Sequence, residues 1–141
     1  MTLVLDTSVL IVFSNSQEPL HRRVQQLIET EPGPLVVPAP ITAEVDYLLG
    51  DKLGRHARRA FLEDVASGRF RIECLQGYEY ELINRMDDTY ASLDAGLADL
   101  SIVVIAHRFG TNRIATLDER HFRTLRPIGG GSFTLLPSDQ P

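Results

Sequence analysis

Four carboxylates stand within or at the ends of apolar stretches of this 141-residue chain: Asp6, Glu44, Asp99 and Asp118. Asp6 closes the run Leu3-Val4-Leu5, and Thr7, Ser8 and a second apolar run from Val9 follow it. Asp118 closes Ile114-Ala115-Thr116-Leu117 in the same manner. A short unbroken apolar run suits a strand buried on both faces of a parallel sheet. If these two strands are parallel neighbours, their carboxyl ends share one edge, where open parallel sheets bind ligands. Asp99 lies within Leu97-Ala98-Asp99-Leu100-Ser101-Ile102-Val103-Val104-Ile105-Ala106, a helix apolar nearly all round and therefore buried. An ionised carboxylate there is costly without a partner. Glu44 follows a second apolar strand and two prolines.

Three or four carboxylates without a His or Cys cluster suit a hard cation, Mg²⁺ or Mn²⁺. Zn²⁺ would want nitrogen or sulfur, and His56, His107 and His121 fall in no zinc motif. Cations held by acids in this way activate water and stabilise charge on a phosphoryl group. Without a cation, mutual repulsion would raise some of the acids' pKa values.

Each acid also has a structural alternative. Asp6 suits a helix N-cap. Glu44 suits the first turn of a helix, where the dipole favours an acid. Asp99 could pair with an Arg from elsewhere in the chain, because Arg108 lies too far along its own helix. Asp94, just before Ala95-Gly96-Leu97, is a natural N-cap for the long helix, with an outer role at a metal as its second reading.

The elements that must carry these acids alternate. Strands are expected at residues 3–5, 35–37, 70–75, 113–117 and 132–136, with 70–75 patterned as an edge strand. Helices are expected at 8–15, from Pro19 through the stripe Leu20, Val24, Leu27 and Ile28, and at 41–49. Further helices are expected through the stripe Ala57, Ala60, Phe61, Val65 and Ala66, at 78–90, at 95–109 and briefly at 119–122, with a turn at 50–54. The order predicts a three-layer α/β sandwich with a mainly parallel sheet. The tail, 137–141, is expected to fray.

Composition sets bounds. The net charge of −5 argues against a nonspecific nucleic-acid coat but not against an enzyme acting on nucleic acid. Thirteen of the fourteen basic residues are Arg, which pairs with phosphate and carboxylate in fork geometry. Residues 1–13 lack a basic start and are broken by Asp6, so they do not read as a signal peptide. Nothing approaches a membrane span. The single cysteine, Cys74, allows no intrachain disulfide and fits a reducing, cytoplasmic setting.

Four ordered motifs carry a resemblance. They are Val4-Leu5-Asp6-Thr7-Ser8, Thr42-Ala43-Glu44-Val45, Gly96-Leu97-Ala98-Asp99-Leu100-Ser101, and the stretch from Arg113 through Leu117-Asp118-Glu119-Arg120-His121-Phe122. In this order and spacing the chain resembles a PIN-domain ribonuclease, more narrowly a VapC-type toxin of a type II toxin–antitoxin pair. The resemblance implies a five-stranded parallel sheet in an α/β/α sandwich, with residues 1–136 as a single PIN-like domain. It implies that Asp6, Glu44, Asp99 and Asp118 hold Mg²⁺, or Mn²⁺, and catalyse hydrolysis of RNA phosphodiesters. Thr7, Ser8 and Thr116 would support the pocket with hydroxyls. It also implies a cognate antitoxin covering the acidic pocket, and a homodimer.

Rival classes fit less well. A receiver-type signalling domain needs a Lys after its last strand, and the only lysine, Lys52, falls in the expected turn at 50–54. A haloacid-dehalogenase-like phosphatase needs a second Asp where Ser8 stands. A catalytically silent PIN fold that only binds RNA or protein is the remaining alternative, and the complete acid set argues against it.

Overall fold

A computed structural model describes residues 1–140. Its elements run β1 (Leu3–Leu5), α1 (Thr7–Phe13), α2 (His21–Thr30), β2 (Leu35–Pro38), α3 (Ala39–Lys52), α4 (Arg55–Ala66) and β3 (Arg71–Glu73). They continue as α5 (Gly77–Thr89), a 3₁₀ turn (Ala91–Leu93), α6 (Leu97–Arg108), β4 (Arg113–Ala115), α7 (Glu119–Thr124) and β5 (Thr134–Leu136). The five strands form one parallel sheet in the order β3-β2-β1-β4-β5. The α/β class and the five-stranded parallel sheet match the expectation, and β3 is an edge strand as its alternation required.

Strand β1 lies at the centre. Leu3, Val4 and Leu5 are all fully buried, so both faces of the sheet are covered. The chain builds outward from β1 to β2 and β3, then crosses to the other side for β4 and β5. The switch point therefore falls between β1 and β4, and a crevice opens beyond their carboxyl ends. Val4 pairs with Ile114 and Leu5 with Ala115, which makes Asp6 and Thr116 the next residues out on adjacent strands.

Several boundaries differ from expectation. Helix α3 starts at Ala39 rather than 41, because Pro40 is tolerated in a first turn whose N–H groups lack intrahelical partners. It also runs through Gly50 to Lys52, so the expected turn at 50–54 shrinks to Leu53 and Gly54. Pro19 precedes α2 instead of opening it. Asp94 is not the cap of α6. It adopts a left-handed conformation (φ 57°) after the 3₁₀ turn, and Gly96 takes the N-cap position.

Two arginine pairs hold the periphery. Arg113 grips Glu31 through Nη1 to Oε1 at 2.9 Å and Nη2 to Oε2 at 2.8 Å, tying β4 to the end of α2. Arg108, at the end of α6, holds Glu79, Glu73 and the Cys74 carbonyl. Residues 137–140, expected to fray, are tied down. Arg23 donates to the Pro137 carbonyl, and Asp139 accepts from Arg123 and from the Leu135 N–H. The remaining tail residue, 141, lies outside the described residues. Among the described residues, no helix is long and apolar enough to cross a membrane.

Candidate active site

At the carboxyl edge of β1 and β4 lies a cleft of about 330 Å³. Its lining includes Asp6, Thr7, Ser8, Glu44, Asp99 and Asp118, brought together from four separate elements.

Asp6 is the deepest of the acids, 4% exposed. It occupies the N-cap position of α1, yet its carboxylate makes no capping bond to that helix. Instead Oδ2 accepts from Thr116 Oγ1 at 2.8 Å and from Ser8 Oγ at 3.0 Å. The Leu117 N–H donates to Ser8 Oγ (2.9 Å) and the Asp118 N–H to Thr116 Oγ1 (3.0 Å), so the hydroxyls also pin the loop after β4. Burial pushes the Asp6 carboxyl above its ordinary range. The bonds from Thr116 and Ser8 and a backbone contact at Thr7 oppose it, while the charge of Asp118 adds to it.

Asp99 faces the same cleft from the first turn of α6. The middle of that helix, from Leu100 to Ala106, is buried. Burial and the neighbouring charge of Asp6 push the Asp99 carboxyl up to about 6, against the influence of His121, with Asp118 adding to the rise. Its partner is not a distant Arg. His121 Nδ1 stands 2.7 Å from Asp99 Oδ2 and 3.0 Å from Asp118 Oδ2. Asp118 caps α7 through Oδ1, which accepts from the His121 N–H at 3.1 Å, and this leaves Oδ2 turned to the imidazole.

Glu44 lines the cleft from α3 and is solvent-exposed. Because α3 begins at Ala39, Glu44 lies in the second turn, beyond the reach of the dipole that favours acids in the first. Glu44, Leu48 and Lys52 are spaced i, i+4, i+8, and all three line the cleft. Asp94 is exposed and is not among the lining residues.

Two residues of the site carry weaker sequence signals: Lys52, which lines the cleft, and His121, which stands against two of its acids. His121 falls in no zinc motif, but its i+3 spacing from a strand-ending Asp returns it to that acid once Asp118 caps α7. Lys52 is expected in a turn, although continuing the helical count from Glu44 by two steps of four reaches it.

The donor set fits a divalent cation. Asp99, Asp118 and His121 each offer a ligand atom, all within 4.8 Å of one another. Thr7 Oγ1 is buried in the same lining and, among the described residues, has no hydrogen-bond partner. An orphaned hydroxyl beside two carboxyls driven upward marks a site short of positive charge.

Comparison with known proteins agrees with this geometry. Residues 3–126 match the PIN domain family. The chain is 38% identical over 135 residues to Ribonuclease VapC26 of Mycobacterium tuberculosis, covering 96% of this chain and all of that protein. Its fold superposes on Mycobacterium tuberculosis VapC20, described as a sarcin–ricin-loop-cleaving toxin, with a TM-score of 0.78 at 16% identity, over 89% of this chain and 98% of that one. VapBC2 of Rickettsia felis, solved bound to a promoter DNA fragment, gives a TM-score of 0.67 at 16% identity, over 96% and 97% of the two chains. The chain belongs to the PIN-domain family and, within it, to the VapC ribonucleases.

Proposed function

We propose that this chain is the toxin of a toxin–antitoxin pair and hydrolyses RNA phosphodiester bonds at the cleft, with Mg²⁺ or Mn²⁺ as cofactor. The observation that carries this reading is the convergence of Asp6, Glu44, Asp99 and Asp118 on one sheet edge, in a chain similar to a named ribonuclease along nearly its whole length.

Asp6, Asp99 and Asp118 would hold the metal, which supplies Lewis-acid stabilisation of the phosphoryl charge and a more acidic water. Ser8 and Thr116 fix the Asp6 carboxylate by aiming their hydroxyls at Oδ2. Thr7 offers a further oxygen donor. Glu44, exposed and free to turn, orients the attacking water and takes its proton. The water oxygen bonds to phosphorus, the P–O3′ bond breaks, and the 3′ oxygen leaves and takes a proton from solvent. Lys52, at the cleft wall, gives a flanking phosphate a positive partner amid the acids.

The same acidity suits an inhibitor. An antitoxin segment rich in Arg or Lys would complement the cleft and cover it in the cytoplasm until release.

Incubating the purified chain with total RNA and Mg²⁺, beside an EDTA control, tests the activity. Discrete fragments that vanish with EDTA and with added antitoxin are expected. Intact RNA at every metal concentration, from protein that still binds RNA, would instead assign a binding-only PIN fold.

A further inference from the structure

We propose that His121 is itself a metal ligand through Nδ1, joining Asp99 and Asp118 in a mixed carboxylate–imidazole set that selects first-row transition ions such as Mn²⁺ over Mg²⁺. The inference rests on the ribonuclease reading above and extends it to the choice of metal.

Three observations carry it. First, Nδ1 lies 2.7 Å from Asp99 Oδ2 and 3.0 Å from Asp118 Oδ2. Adjacent donors around an octahedral ion with ligand distances of about 2.1 Å are separated by roughly 3.0 Å, so the spacing is that of donors sharing one ion. Second, Nδ1 is buried between the two carboxylates and makes no well-formed hydrogen bond, close as it stands to Asp99. A protonated imidazole placed to neutralise one acid would aim its N–H at that oxygen. Third, the His121 backbone N–H holds Asp118 Oδ1, so one residue both positions that carboxylate and presents the imidazole beside its free oxygen.

The chemical consequence concerns selectivity. Mg²⁺ is hard, prefers oxygen and keeps its waters. First-row transition ions accept nitrogen more readily, with affinity rising along the series from Mn²⁺. Replacing an oxygen donor by imidazole therefore tilts the site away from Mg²⁺.

The test is metal binding by the full chain, read without substrate. Mn²⁺ and Mg²⁺ are titrated separately into wild type, His121→Gln and Asp99→Asn, and nitrogen hyperfine coupling is recorded from Mn²⁺ on the wild type. Coupling to one imidazole nitrogen is expected. In His121→Gln, Mn²⁺ affinity should fall about tenfold or more, with Mg²⁺ affinity changed less than about threefold. The retained Mg²⁺ binding also reports that the variant is folded. Absence of nitrogen coupling on the wild type overturns the proposal, as does equal weakening of both ions, which would make His121 an orienting group only. Loss of Mn²⁺ in Asp99→Asn with none in His121→Gln overturns the histidine ligand and leaves the acid site standing. A wild type that binds neither ion defeats both readings.

Discussion

Thr116 Oγ1 donates to Asp6 Oδ2 at 2.8 Å across 110 positions of sequence. The bond exists because β1 and β4 are parallel neighbours whose register puts Leu5 beside Ala115. It joins the first motif of the chain to the last and fixes the deepest acid of the cleft. Thr116 is fully buried and also accepts the Asp118 N–H. Thr116→Val keeps the shape and removes both bonds. It should destabilise the protein by about 1–3 kcal/mol, through a buried carboxylate and a buried N–H each short of a partner. Metal affinity should fall as well, because a hydrogen bond to the charged form of Asp6 is lost. Denaturant unfolding and metal titration read the two effects, and a variant equal to wild type in both would contradict the role given to this hydroxyl.

Asp99 gives a pH dependence with a definite sign. Its folded pKa is raised from 3.8 to about 6. Between those values the folded protein keeps a proton that the unfolded chain has released. Stability of the metal-free protein should therefore fall as pH rises through that window, by up to about 3 kcal/mol from this group. Asp99→Asn removes that share, so the metal-free variant should be more stable than wild type at pH 7 and less pH-dependent between pH 4 and 6. A variant less stable than wild type at pH 7 would count against a buried, unneutralised charge.

Glu44 behaves differently from the other acids. It is exposed and, among the described residues, makes no hydrogen bond or ion pair. Glu44→Gln should leave stability within about 0.5 kcal/mol of wild type. RNA cleavage should nevertheless drop by about a hundredfold or more, as removal of a proton acceptor does. Unchanged cleavage would remove Glu44 from the chemistry.

The Arg113–Glu31 pair supplies the opposite control. Glu31 is held below the usual carboxylate range chiefly by its bonds to Arg113. Arg113→Met leaves a nearly buried carboxylate unpaired and should cost about 2–3 kcal/mol, less than a fully buried pair because the Arg is partly exposed. Metal affinity of the folded protein should not change, since neither residue lines the cleft. Calorimetry with and without Mn²⁺ separates the two.

Much of this arrangement was legible in the sequence, for physical reasons. A three-residue apolar run ending in Asp suits a strand buried on both faces of a parallel sheet, and there it leaves the acid at the carboxyl edge. An acid inside an apolar helix must find a partner, so Asp99 points to a site from the sequence alone. Helix ends were less legible. Pro40 and Gly50 looked like breaks, but packing of Ile41, Val45 and Leu49 into the core carries α3 through both. Reading them as breaks places Lys52 in a turn instead of on the helix. Asp94 looked like a cap because Asp suits that role, yet Gly96 took it once the 3₁₀ turn placed Asp94 in a left-handed conformation. The role of His121 is not legible in the sequence because it follows from α7 folding back over Asp118, a tertiary consequence of a local cap.

The most direct test of the central claim is anomalous diffraction from crystals of the wild-type chain soaked in Mn²⁺. The account predicts a manganese peak in the cleft within bonding distance of carboxylate oxygens of Asp99 and Asp118 and next to Asp6, absent from Asp99→Asn crystals. A cleft without manganese under conditions where the same protein cleaves RNA would contradict it, and would move the chemistry to another part of the surface.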